Sequence, residues 1–200
     1  TFDGRVTGVK YINARGFERR EEAEHIIIAT GGVSYPSTGS TGDGYDFAAN
    51  LGHSIEPVRP SLTPLRTSHP QREYLNGLLL KNVGAKLYID NELCQEEFGE
   101  IGFSERGIEG AVALRLSRDA VDAIIDERKV KIVVDLKPAL DEETLLARIN
   151  REIAEMQPSE FFAELLRKLV PKQLVVPLAK EVDFHSKTYV GKLTEAEKMR

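Results

Sequence analysis

The sequence predicts a chain of mixed class, part α/β and part α+β. Three observations carry this. An unalternated isoleucine run ends in a glycine-rich loop and a helix at 24–53. Successive strand-like runs with a short turn signal follow at 78–104. Three apolar stripes at helical spacing then occupy 141–178. A buried strand followed by a glycine-rich loop and a helix is the unit of a parallel sheet, whereas strands joined by tight turns build an antiparallel one.

Taken in order, residues Arg5 to Ile12 alternate as a strand, Asn13-Ala14-Arg15-Gly16 reads as a turn, and Phe17 to Glu22 as the returning strand. Arg19, Arg20, Glu21 and Glu22 read as a solvated charge cluster. His25 to Ala29 lacks polar alternation and is expected to form a strand buried on both faces, with His25 structural. Thr30-Gly31-Gly32 closes that strand, and a loop rich in Gly, Ser, Thr and Pro runs to Gly44. Tyr45, Ala48, Ala49 and Leu51 give the next helix its apolar side, with Asp43 as its expected cap and Gly52 as its stop. A helix start at this place suits an anion, but the Asp43 carboxylate would repel one, which favours a hydroxyl or ring N–H equally. The spacing G-x-x-G-x-G is neither the dinucleotide fingerprint nor a P-loop.

Pro57, Pro60, Pro64 and Pro70 predict an extended connection, with a domain crossing near residue 57. Leu78–Val83 and Ala85–Ile89 read as two runs broken at Gly84, Asp90-Asn91 as a hairpin turn, Leu93–Phe98 as the return, and Gly99 to Ser104 as a fourth segment. A helix is expected from Gly107 to about Asp126, through Ile108, Val112, Leu116 and Ala120. Val130 to Leu136 is a strand. Asp141 caps a helix striped by Leu145, Ile149, Ile153 and Met156. Pro158-Ser159-Glu160 opens a second, and Pro171 a third that Pro177 interrupts. Thr194-Glu195-Ala196-Glu197 is a capping box whose helix stops at Arg200, which suggests a piece of a longer protein.

Composition narrows the function classes. The net charge is −5 with both signs interspersed, which offers no support for nucleic-acid or membrane-surface binding. The single cysteine, Cys94, excludes an internal disulfide and a Cys-rich metal site, fits a reducing cytoplasm, and is expected to be an inert, at least half-buried thiol. None of His25, His53, His69 and His185 stands at metal-ligand spacing, so no metal is expected. Glu100 and Glu105 are candidates for a paired-carboxylate site, weighed against a solvated sheet rim.

"ATGG" at 29–32 followed by "TGDG" at 41–44 resembles a pattern of FAD-dependent oxidoreductases. The longer stretch "ATGGVSYPSTGSTGDGYDFAANLGHSI" is similar to the BaiN-like (YhiN, aminoacetone-oxidase-like) NAD(P)/FAD-dependent flavoproteins. "SLTPL" at 61–65 resembles that family's "P.L.PL", and "GEIGFSERGIEGAVALRLSR" its "GE..FT..GISGPA.L.LS". Glu109 stands where the pattern has Ser and Ala111 where it has Pro, so no substrate contact is carried over there.

The resemblance implies that residues 1–56 are part of a FAD-binding Rossmann-like domain. It implies an inserted small antiparallel β-barrel with a helical subdomain at 57–190, covering the flavin and shaping the substrate pocket, and the start of a further helix at 191–200. Thr30, Gly31 and Gly32 would neighbour the FAD, and Thr41, Gly42, Asp43 and Gly44 would flank it. The family's G-x-G-x-x-G unit and its C-terminal glycine-rich segment are not in the sequence. The chain alone is therefore expected to bind FAD weakly or not at all and to be inactive, with catalytic residues and small-molecule substrate unassigned. A homodimer through unpaired strand edges is also expected. The alternative is a non-redox binding module with a Gly-rich anion-binding loop.

Overall fold

The computed structural model describes residues 4–68, 72–183 and 187–198. His69, Pro70 and His185 lie outside the described residues. The described chain divides after Val58 into two compact units.

The first unit holds a hairpin, a loop and a helix. Strand β1 (Gly8–Ile12) pairs antiparallel with β2 (Glu18–Glu22). Asn13 makes the turn, its side-chain oxygen accepting the Arg15 and Phe17 N–H groups at 3.0 Å each. The expected buried strand at 25–29 is not formed. The segment pairs with no strand among the described residues, His25 is exposed, and Ile27 is 90% exposed. The physical reason is that a strand exists only by its neighbours, and such apolar side chains stay wet until another layer covers them. A 3-10 turn (Pro36–Thr38) leads on to helix α1 (Asp43–Asn50).

The second unit is built on one antiparallel sheet. After the short helix α2 (Arg72–Leu75) come strands β3 (Leu79–Ile89), β4 (Glu92–Ser104), β5 (Gly107–Glu109) and β6 (Val130–Asp135), in sheet order β5-β4-β3-β6. Asp90 and Asn91 both take positive φ, 52° and 69°, forming the primed hairpin turn that their residue types favour. Gly84 does not break β3. The irregularities fall between Leu80 and Val83, where Asn82 adopts φ 55°, and between Leu87 and Tyr88. Bulges of this kind bend and twist a strand, and they curl this sheet into a half-barrel.

Helix α3 (Ala111–Ile125) covers the sheet. It starts later than the sequence suggests, because Gly107–Glu109 pairs with β4 and Gly110, at φ 95°, turns the chain. Its Val112, Leu116 and Ala120, all 0% exposed, meet Leu87, Ala85 and Ile101 in the main core.

Helices α4 (Glu142–Ala154), α5 (Phe162–Leu169) and α6 (Lys172–Glu181) enclose a second core of Met156, Phe162, Leu165, Leu166 and Val175. Asp141 caps α4, accepting the Thr144 N–H at 2.8 Å. Pro177 sits inside α6 without ending it. The capping box forms at α7 (Glu195–Lys198): Thr194 Oγ1 accepts the Glu197 N–H at 3.3 Å, and Glu197 Oε2 accepts the Thr194 N–H at 2.8 Å. The mixed class expected from the sequence, with antiparallel sheet and helical part, is what the chain adopts.

Arg115 of α3 donates to Glu97 on β4 and to the Phe98 carbonyl, clamping helix to sheet. That guanidinium hydrogen bond is the main cause that holds the Glu97 carboxyl below its usual 4.5. A depressed carboxylate stabilises the fold above its unfolded value, and the contribution is lost as pH falls through the folded value. Acid unfolding of Glu97→Gln is therefore expected to depend less on pH below about 4.5 than that of the parent sequence. Urea midpoints taken down a pH series check this, and parallel curves would refute it. No helix among the described residues is long and apolar enough to cross a membrane.

Candidate functional site

The loop that carries the expected cofactor contacts closes on itself. Gly44, the second residue of α1, lies so near Thr30 that a β-carbon there would stand 2.5 Å from Thr30 Oγ1 and 3.0 Å from Ile28 Cγ2. One at Gly31 would stand 2.7 Å from Ser40 Oγ. The structure thus brings Thr30, Gly31 and Gly32 against the 40–45 segment, and the glycines serve chain-to-chain packing. Gly32 is different: a β-carbon there would meet only the Tyr45 hydroxyl, at 3.4 Å.

Gly42, not Asp43, is the N-cap of α1. It is buried with φ 93°, and a β-carbon on it would reach Val33 Cγ1 at 2.9 Å. A left-handed cap turns the chain into the helix only at low cost for glycine. Asp43 is then the first helical residue. Its carboxylate accepts the Thr41 hydroxyl at 2.8 Å, fixing Thr41 and adding negative charge at the positive end of the helix. Gly42→Ala is expected to destabilise this turn by about 1–2 kcal/mol. Hydrogen exchange in α1 then speeds several-fold, and unchanged protection factors would refute the capping role.

Among the described residues the Gly31 and Gly32 N–H groups have no protein acceptor. Two adjacent donors beside a helix start can hold a polar ring edge or an oxygen at close approach, and so fit a flavin.

The other candidates disperse. Glu100 faces Lys81 at 3.8 Å, while Glu105 sits in the β4–β5 turn, and they form no pair. Cys94 is exposed rather than half-buried, its thiol 3.5 Å from the Glu92 carbonyl. Cys94 alternates with Glu96, Phe98 and Glu100 on the exposed face of β4, which is open to water. His53 is exposed. Among the described residues no group of three or more His, Cys, Asp or Glu side chains is placed to hold a metal.

One residue of the "LS" motif has a function that sequence reading missed. Ser117 is 0% exposed, and its hydroxyl donates to the Leu114 carbonyl at 2.7 Å and accepts the Thr63 N–H at 3.1 Å. It ties the proline-rich connection to α3. A lone serine in an apolar helix was the available signal.

Comparison with known proteins agrees with these motifs. Residues 59–200 match the family model described as HI0933-like protein barrel and H2TH domain. The chain is similar to a 3-dehydro-bile acid delta(4,6)-reductase of Clostridium scindens, 28% identical over 177 residues, covering 86% of this chain and 42% of that protein. It is similar to the ribosomal RNA dihydrouridine synthase of Haemophilus influenzae, 28% identical over 174 residues, covering 86% of this chain and 39% of that protein. The protein of the same name from Escherichia coli is 28% identical over 152 residues, covering 76% and 35%. The chain therefore spans well under half the length of these relatives. With more than half of its residues inside the family match, the chain belongs to the HI0933-like, BaiN-like family.

Proposed function

We propose that this chain is the middle part of a FAD-dependent oxidoreductase. In it residues 1–56 place the Thr30–Gly32 and Thr41–Gly44 backbone beside the flavin, and residues 57–190 cover the flavin and shape the substrate pocket. The observation that carries the reading is the closed loop with two unengaged N–H groups at Gly31 and Gly32, in a chain whose relatives include a named reductase. The exposed Ile27 and Ile28 support it, since further strands of a flavin domain would cover them.

When bound, the flavin supplies the hydride chemistry. The protein's part is position: backbone donors after Thr30 orient the cofactor, and the Asp43 carboxylate disfavours a free anion in the same place. That charge also weighs against the alternative reading of an anion-binding module. A dihydrouridine product and a delta(4,6) reduction are both saturations of a carbon–carbon double bond. The proposed reaction for the whole protein is therefore hydride delivery to a conjugated alkene.

The test is flavin content. The polypeptide extended on both sides is expected to purify with FAD near one equivalent, and this chain alone to take up little. A colourless extended protein that FAD does not titrate would overturn the flavoprotein reading. A yellow, stoichiometric short chain would overturn the claim that flanking segments are required.

A further inference from the structure

Within the second unit, the segment after Leu65, helix α2 and the β4–β5 turn enclose a polar cleft of about 440 Å³. Arg66, Arg72 and Arg106 line it, opposed by the carboxylates of Glu73 and Glu105. Elsewhere in the unit Arg59 pairs with Asp122 and Asp126, Arg115 with Glu97, Arg128 with Asp90 and Arg167 with Glu164, whereas Arg118, Arg148 and Arg151 make no ion pair among the described residues; the cleft differs in gathering three unpaired arginines in one place. Among the described residues the three cleft arginines make no ion pair. In a chain of net charge −5 the cleft is thus locally positive, a feature that the overall charge conceals.

The cleft is built, not incidental. Leu65 and Ile108 exchange backbone hydrogen bonds at 3.0 and 2.8 Å, holding Arg66 beside the turn that carries Arg106. Gly107 permits this approach, because a β-carbon there would lie 2.1 Å from the Leu65 carbonyl oxygen. The α2 wall is fixed by Gly77 N–H to the Phe103 carbonyl at 2.8 Å and Phe103 N–H to the Leu78 carbonyl at 2.9 Å. Ser104 sets the turn, its hydroxyl accepting the Arg106 N–H at 3.3 Å and donating to Glu109 at 3.1 Å.

Guanidinium forks match the oxygens of phosphate, and a phosphate offers more acceptors and more charge than a carboxylate. We propose that this cleft binds a phosphate group, with the guanidiniums of Arg66, Arg72 and Arg106 on its oxygens. The group belongs either to a small phosphoester or to a polynucleotide backbone. The proposal concerns the second unit alone and is independent of the flavin reading.

The test titrates the chain, without flavin and at low salt, with glycerol phosphate and separately with a short mixed-sequence single-stranded RNA. At least one probe is expected to bind. The double variant Arg66→Gln/Arg106→Gln, and independently Arg72→Gln, should weaken that binding about tenfold or more, while Arg19→Gln/Arg20→Gln in the first unit leaves it unchanged. All five side chains are exposed, so thermal unfolding should not move. RNA bound more tightly than glycerol phosphate, with log affinity falling against log salt at a slope of about −2, assigns the backbone source. Equal affinities with a shallow slope assign the small phosphoester. Failure of both probes to bind, or equal losses in the cleft and control variants, overturns the proposal.

Discussion

Gly107→Ala is expected to destabilise the second unit by about 3 kcal/mol or more. Two costs add at this position. Gly107 has φ 124°, a conformation that L side chains rarely adopt. The new β-carbon would also stand 2.1 Å from the Leu65 carbonyl oxygen and 2.8 Å from Arg66 Cα. Both are backbone atoms, so no side-chain rotation relieves the clash. The Leu65–Ile108 bridge must open, which releases a core leucine that is 7% exposed and frees the segment bearing Arg66. Equilibrium denaturation read by tryptophan-free probes such as far-UV dichroism measures the loss. Hydrogen exchange at Ile108 locates it. A loss below about 1 kcal/mol would mean that the 65–66 segment moves aside without cost, and the close approach would then carry no structural weight.

What the sequence made legible follows the range of the forces involved. Asp90-Asn91 was readable as a turn because the positive φ of both residues is a local property of their side chains. Asp141 and Thr194 were readable as caps for the same reason. The apolar stripes of α4 and α5 were readable because burial on a helix repeats at fixed spacing. The run at 26–28 misled because burial of a strand depends on partners remote in sequence, and the described residues supply none. Ile108 misled because it continues the spacing of Val112 and Leu116 into residues that instead pair with β4.

The candidate site divides in the same way. The Thr30–Gly32 and Thr41–Gly44 motifs stand out in the string, and the fold does bring them together. That several of these glycines pack on Thr30, Val33 and Ser40 was not legible, since a β-carbon clash is a three-dimensional fact. The cleft of Arg66, Arg72 and Arg106 has no sequence signature at all. Its members come from a linker, a short helix and a hairpin turn, joined only by backbone pairing.

Leu116→Ala is expected to cost about 4 kcal/mol, toward the upper part of the range for leucine truncation in a core. The side chain is 0% exposed where α3 meets β3 and β4. The size of the loss depends on whether neighbours can fill the void. The same core holds Ala85, Ala120 and Ala123, whose side chains are too short to fill it, and the backbones of Leu87 and Ile101 are fixed by sheet pairing. Leu116→Met keeps most of the volume and should cost under about 1.5 kcal/mol, which separates cavity formation from a general intolerance of change. Urea unfolding with an unaltered m-value gives the comparison. The same helix turn carries Ser117, whose hydrogen bond from Thr63 depends on how α3 sits. Ser117→Ala alone strands the Thr63 N–H and should cost about 1–2 kcal/mol. If Leu116 seats the helix, its loss has already loosened that bond, and the double variant falls short of the sum. Strict additivity would show instead that the sheet contacts of Val112 and Ala120 hold α3 in place by themselves.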